Sequence, residues 1–222
     1  MRKVVAAEYV TLDGVMEDPA GIGEIENGGW SNPYFNDELA KYQSDQLLAS
    51  DALLLGRVTF EGFAAAWPSM EETEGDFAVR MNRLPKFVAS RSLKEPLSWN
   101  GTLLRGDVGE EVAQLKQQPG RNILIYGSGE LVHELHQYGL IDEYLLMVFP
   151  VTVGEGKRLF RGRCKIDLKL ANAWSTGTGV AVLTYEPSSC RRPPPSQVIG
   201  ARTRRGQDRA RPDDHIRERP GR

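Results

Sequence analysis

The sequence predicts an α/β protein built on a mostly parallel sheet with helices on both faces. Two observations carry that prediction. Short apolar runs such as "KVVAAEYV", "DALLLG" and "RNILIYG" alternate with amphipathic stretches such as "NDELAKYQSDQLLAS", "DVGEEVAQLKQQPG" and "SGELVHELHQYGL". Apolar strands separated by helices are the pattern of a parallel sheet buried on both sides. Further on, "DEYLLMVFPV", "KIDLKLANAW" and "GVAVLTYEP" follow one another with no helix between them, which predicts antiparallel pairing in the C-terminal part.

Each element has its own local reason. In "KVVAAEYV", Val4, Val5, Ala6 and Ala7 suit a buried first strand. "GVMEDPAGIGEIENGGWSNPYF" is rich in Gly, Pro and Asn and reads as a long loop, a length that in compact domains usually serves function. The next helix can be capped by Asn36 or Asp37, with Leu39, Tyr42, Gln46 and Leu47 near one face. "DALLLG" is a buried strand, and "TFEGFAAAW" a short helix stopped by Pro68. "PKFVAS" and "TLLRG" read as strands, "DVGEEVAQLKQQPG" as a helix ended by Pro119-Gly120, and "RNILIYG" as a strand. The helix of "SGELVHELHQYGL" ends at a Gly139 C-cap. No internal repeat is visible.

Composition narrows the function classes. With 40% hydrophobic and 26% charged residues, the chain falls in the ordinary soluble globular range. Its apolar runs are shorter than the roughly 18 residues of a membrane span. The opening "MRKVVAAEYVTLDG" meets Glu8 and Asp13 too soon for a secretory signal, so the protein reads as cytoplasmic. Cys164 and Cys190 have no metal-type spacing around them. His133 and His136 lie three apart on one helix with no acid or cysteine placed to complete a metal site, and read as a surface pair. From Arg191 onward ten arginines face four acidic residues, a balance of +6, so the first 190 residues carry −8 of the net −2. With "RRPPPS", this shift predicts a folded domain over residues 1–187 and a disordered Pro/Arg-rich tail over 188–222. The acidic body argues against nucleic acid as a specific partner.

In open α/β sheets, ligands bind beyond the carboxyl ends of the strands, so the residues just after each strand are the candidates. Gly56, Arg57 and Thr59 supply a close backbone approach, a guanidinium fork and a hydroxyl at a helix start. Ser90 and Arg91 follow the next strand with chemistry that suits a phosphate monoester. Gly127-Ser128-Gly129 lacks the third glycine of a dinucleotide fingerprint, because that position is Val132. Its turn nonetheless leads into a helix start that Ser128 can cap, with Glu130 favourable to the dipole. Taken together the three ends supply phosphate-type donors along one sheet edge.

The segments "TLDGV", "SDALLLGRVTFEGF", "FVASRSL" and "ILIYGSGELVHELHQYGLIDEYLLMVFPVTVGEGKRLF" resemble the dihydrofolate reductase-like superfamily. Within it, the chain is most similar to the reductase domain of the bifunctional riboflavin-biosynthesis deaminase/reductase and its stand-alone relatives, over about residues 1–187. The resemblance implies the three-layer dihydrofolate reductase-like fold and an NADPH-dependent hydride-transfer enzyme, working as a homodimer on a small molecule. It places NADPH phosphates on Gly56, Arg57 and Thr59, and the adenosine 2′-phosphate on Ser90 and Arg91. Gly127, Ser128, Gly129, Glu130 and Leu131 take the pyrophosphate and nicotinamide side. Asp13 and Gly14 border the nicotinamide and substrate, and Pro150 to Gly156, including Gly154, lie on the substrate side. The chain has no H-x-E with P-C-x-x-C, so no zinc-deaminase motif accompanies this domain. Trp30 and Asp37 lie in the region of the pterin pocket of true dihydrofolate reductases, but the residues around them do not match.

Hydride transfer asks for a near-attack geometry, exclusion of water and a proton source. Asp13 is the first candidate for the proton or for a substrate hydroxyl, with a simple Asp-Gly turn as the other reading. Asp37 and Glu38 come second, as helix-start residues that also suit capping. Residues 15–35 are the loop that closes. The expected reaction is 5-amino-6-(5-phosphoribosylamino)uracil reduction. A dihydrofolate or pterin reductase, and a non-catalytic nucleotide-binding protein of the same fold, stay open.

Overall fold

The structure is a computed structural model and describes residues 1–22, 25–161 and 165–188. Apart from Ser188, the expected tail lies outside the described residues, as do Cys164, Cys190 and His215. The first compact unit of the chain spans Met1–Arg192. It holds one eight-stranded sheet in the order β4-β3-β2-β5-β1-β6-β8-β7. The strands are β1 Val4–Thr11, β2 Ser50–Gly56, β3 Lys86–Ala89, β4 Gly101–Leu104, β5 Asn122–Tyr126, β6 Glu143–Phe149, β7 Leu168–Ser175 and β8 Ala181–Pro187. The first six in spatial order pair in parallel. β8 runs antiparallel to both β6 and β7. This is the mixed sheet the strand and helix order predicts.

Among the described residues five α-helices connect the strands: α1 Asp37–Leu48, α2 Arg57–Ala66, α3 Glu71–Arg83, α4 Val108–Gln117 and α5 Gly129–Tyr138. Leu39 and Leu47 of α1, Phe60 of α2 and Met81 of α3 pack with Val5, Leu53, Leu55 and Leu124 on one face. Val112 and Leu115 of α4 and Leu131, Val132 and Leu135 of α5 pack with Val4, Ala6, Ile123 and Ile125 on the other. The division follows from right-handed crossovers. Connections leaving β1 and β2 run one way along the sheet and those leaving β4 and β5 run back, so their helices take opposite faces.

α3 is an element the sequence reading does not contain. Its window "EETEGDFAVRMNR" starts with a run of acidic residues, and Gly75 inside it is non-helical (φ 55°, ψ −134°). That break hides the helical period. Asn36, rather than Asp37, caps α1, its side chain accepting from Leu39 N–H.

Candidate functional site

The strand order settles which turns are neighbours. Beyond the carboxyl ends of β3, β2, β5, β1 and β6 lie, in that spatial order, Ser90-Arg91, Gly56-Arg57, Gly127-Ser128-Gly129, Asp13-Gly14 and Pro150 to Gly156. Strands lie about 4.8 Å apart, so the turns from β3 to β1 span roughly 14 Å. All sequence-predicted cofactor residues therefore fall on one continuous edge.

The turns of β2 and β5 are stitched to each other. Ser128 Oγ accepts from Gly56 N–H at 3.0 Å and donates to the Tyr126 carbonyl at 3.1 Å, while Ser128 N–H donates to Thr59 Oγ1 at 3.0 Å. This is possible because Gly127 and Ser128 both take left-handed conformations, at φ 55° and 58°. The expected capping by Ser128 does not occur: its side chain is engaged across the turn, and α5 has no side-chain cap. α2, starting after Gly56, has none either. By contrast, Asn36 caps α1 and Asp107 caps α4. Two ten-residue helices on opposite faces of the sheet thus bring uncapped N-termini together at one place, where backbone N–H groups and dipole ends favour an anion.

Charge around that place comes from exposed side chains. Arg57 pairs with Glu61 at 2.8 Å, both about half exposed (46% and 48%), and such surface pairs are worth little, so the guanidinium yields readily to a phosphate. Thr59, having accepted from Ser128, keeps its hydroxyl hydrogen to donate. Arg91 is exposed, and Ser90 Oγ accepts from Ser92 and Leu93 N–H at 3.2 and 3.0 Å, which fixes the Ser/Arg turn. Glu130 pairs with Arg161, whose hydrogen bond holds its carboxyl below the usual range. The anionic charge at the start of α5 is thereby offset.

Asp13 ties the turn after β1 to the turn after β6. Its Oδ1 accepts from Thr11 Oγ1 at 2.6 Å and Val153 N–H at 3.2 Å, and its Oδ2 from Gly154 N–H at 2.9 Å. The Thr11 hydroxyl, followed by the backbone donors, lowers its pKa to about 2. Leu12 N–H to Val151 O and Met16 N–H to Lys157 O, each at 2.9 Å, zip the same two segments together. A carboxylate held this way is a poor proton donor at neutral pH and a good acceptor.

Several predicted residues take other roles. Trp30, expected at the substrate, is 6% exposed; its Nε1 donates to the Glu17 carbonyl at 2.8 Å and its ring meets Phe149 edge-on at 5.3 Å. It is a core residue anchoring the long loop. Asp37 is exposed at the start of α1 and among the described residues bonds to none of these turns. Its neighbour Glu38 instead accepts from Gly177 N–H at 2.6 Å in the turn between β7 and β8. His136 is not a surface residue: it is buried, with Nδ1 2.6 Å from the Tyr144 hydroxyl. Leu131 is buried in the core behind α5, so it can offer only its backbone. Among the described residues no group of His, Cys, Asp and Glu could hold a metal ion, and no helix is long and apolar enough to cross a membrane.

One buried acid in the strand beneath these turns has no counterpart in the sequence analysis. Glu8 in β1 is 1% exposed, and its carboxyl accepts the backbone N–H of Gly127. Burial, opposed in part by that hydrogen bond, pushes its pKa well above the usual range. A single acid in the apolar run "KVVAAEYV" was the available signal.

Known proteins share this architecture. Over 187 residues the chain is 30% identical to the uncharacterized protein YyaP of Bacillus subtilis, covering 83% of this chain and 94% of YyaP. It is 29% identical to YwjB of the same organism over 163 residues, covering 72% and 83%. A candidate riboflavin biosynthesis protein of Shewanella sp. PV-4 superposes with a TM-score of 0.67 at 20% identity, over 85% of this chain and all of that one. The Thermotoga maritima diaminohydroxyphosphoribosylaminopyrimidine deaminase/5-amino-6-(5-phosphoribosylamino)uracil reductase gives 0.58 at 14% identity, over 84% of this chain and 57% of that one. Dihydrofolate reductase of Enterococcus faecalis, in complex with NADP(H) and RAB-propyl, gives 0.57 at 15%, over 84% and 97%. The fold is therefore dihydrofolate reductase-like. The RibD C-terminal domain model matches residues 2–182, and the chain belongs to the RibD C-terminal domain family.

Proposed function

We propose that this chain is an NADPH-dependent reductase of a small heterocyclic substrate, with 5-amino-6-(5-phosphoribosylamino)uracil as the specific candidate, acting as a homodimer in the cytoplasm. The observation that carries the reading is the pair of uncapped helix starts at Gly56 and Ser128, stitched side by side and flanked by Arg57 and Arg91. The family membership and the reductase names of its structural neighbours support it. When bound, NADPH supplies the hydride. Arg57, Thr59 and the starts of α2 and α5 would hold its phosphates, and Ser90 with Arg91 its 2′-phosphate. Asp13, kept ionised, accepts a hydrogen bond from a substrate hydroxyl or amine and sets the wall formed by Val153 and Gly154. The long loop after β1, pinned by Trp30, excludes water.

Titration of tryptophan fluorescence with NADPH and NADH tests the cofactor. Tight binding of NADPH and weak binding of NADH is expected; equal weak binding of both defeats the reading. Arg91→Ala should cost NADPH about 10- to 100-fold in affinity, the value of one charge-assisted hydrogen bond, and leave NADH nearly unchanged. An equal loss for both cofactors would remove Arg91 from the 2′-phosphate. Turnover of dihydrofolate, and not of the aminopyrimidine, would move the substrate assignment to a pterin.

A further inference from the structure

Tyr9 presents a phenol at the edge where the turns converge. In β1, Val5 and Ala7 lie in the core shared with Leu39 and Leu47 of α1 and Phe60 of α2, and Tyr9 packs against that core from the same strand face. Its neighbour in β6 is the buried Met147. On the β5 side, pairing stops at Ala7 and Tyr126, and the chain turns through Gly127 into α5, which packs on the opposite face. Tyr9 therefore has a strand neighbour on one flank, and its other flank stands level with the Gly127-Ser128-Gly129 turn.

The ring is held and the hydroxyl is not. Phe149 lies 4.7 Å from the Tyr9 ring at 58°, and is itself backed by Trp30 at 5.3 Å and Tyr34 at 6.2 Å. Among the described residues the Tyr9 hydroxyl has no hydrogen-bond partner. The same is true of Glu8 Oε1, but that atom is buried, whereas Tyr9 is only half-buried and its oxygen stays within reach of solvent. Other tyrosines of the sheet are engaged: Tyr126 Oη donates to the Gln43 carbonyl at 3.4 Å, and Tyr144 Oη lies 2.6 Å from His136 Nδ1. Tyr126, hindered from ionising by burial and then by Tyr9, borders the same space. Burial also keeps the Tyr9 phenol from ionising, so at neutral pH it is a hydrogen-bond donor.

We propose that Tyr9 is a substrate-binding residue, whose hydroxyl donates to a carbonyl oxygen of the heterocycle seated on the α1 face of the sheet beside the Gly127-Ser128-Gly129 turn. The inference rests on the reductase reading above. A ring held over Tyr9 lies next to the turn that takes the dinucleotide, as hydride transfer requires. Phe149 fixes the phenol in advance, so little side-chain freedom is lost on binding. A site that offers one fixed donor selects a ring carrying an acceptor over an analogue lacking it.

The test compares the full chain with its Tyr9→Phe variant, which removes the hydroxyl and keeps the ring. NADPH oxidation is followed at saturating cofactor with 5-amino-6-(5-phosphoribosylamino)uracil and with dihydrofolate, both of which carry ring carbonyls, alongside fluorescence titration of NADPH and thermal unfolding. For whichever compound wild type turns over, Tyr9→Phe should raise KM about tenfold and leave kcat within about twofold, because the hydrogen bond is made alike in the ground and transition states. NADPH affinity and the unfolding midpoint should match wild type, since the hydroxyl has no internal partner to lose. A Tyr9→Phe enzyme with the wild-type KM would overturn the proposal. So would an unfolding midpoint that falls together with a raised KM, which would give the hydroxyl a structural role instead. Turnover of neither compound by wild type with NADPH bound removes the substrate reading and this inference with it, whereas turnover with an unchanged KM in the variant removes the inference only.

Discussion

Asp13 and Glu8 lie five residues apart near the end of one strand, and their surroundings push them in opposite directions. Asp13 is wrapped by donors and held near pKa 2, whereas Glu8 is desolvated and held high. For Asp13 the linkage has a definite sign. Its folded pKa lies below the ordinary 3.8, so its stabilisation is complete above about pH 4 and is lost as pH falls through about 2. Asp13→Asn should therefore unfold with a shallower pH dependence than wild type between pH 4 and 2 in urea titrations; the residual slope belongs to carboxylates such as Glu17 and Glu130, also lowered. Parallel slopes would mean the Asp13 contacts contribute nothing. The sequence marks Asp13 because Asp-Gly in a loop is conspicuous. Its partners Val153 and Gly154 lie 140 and 141 residues away, a distance that local pattern cannot bridge. Trp30 and His136 were misplaced for the same reason, since aromatic and imidazole rings look alike in sequence whether they line a cleft or satisfy a core neighbour.

At the scale of elements, strands with continuous apolar runs and helices with clear caps were readable, because burial on both faces and N-cap chemistry are local properties. α3 was not, because Gly75 interrupts its period. The turn between β5 and α5 was half readable. Its glycines announced a left-handed or closely approached backbone, but the role of Ser128 depends on β2 being its neighbour. Ser128 joins two helix starts at once, so Ser128→Ala should leave the Gly56 N–H and the Tyr126 carbonyl without partners. We expect a loss of about 1–3 kcal/mol, the usual penalty of an unsatisfied buried polar group, read as a lower urea midpoint at constant slope. Because both turns loosen, NADPH affinity should fall as well. A variant as stable as wild type would show that the stitch is incidental.

For the whole molecule, the strand order converts scattered motifs into a site. Handedness rules explain why α1 to α3 and α4 with α5 take opposite faces, but sequence alone does not say that β5 inserts between β2 and β1. That insertion brings Gly127 beside Gly56. It also concentrates positive donors on the edge of a body whose remaining charge is negative. Residues 189–222 carry +6 and the preceding 188 carry −8, so the two parts act oppositely on an approaching anion. The packed sheet closes at β8, and Ser188 N–H to Asp167 O at 2.8 Å is its last described hydrogen bond, so a chain ending at Ser188 should keep the sheet. Its net charge drops from −2 to −8. The field is felt over about 30 Å at 0.01 M salt and about 3 Å at 1 M. The shortened chain should therefore associate with NADPH more slowly than the full chain at 0.01 M, and at the same rate at 1 M. Dissociation, set by the contacts at the turns, should be unchanged. Stopped-flow fluorescence at the two salt concentrations separates these rates, and an association difference that persists at 1 M would indicate contact between residues 189–222 and the nucleotide rather than steering.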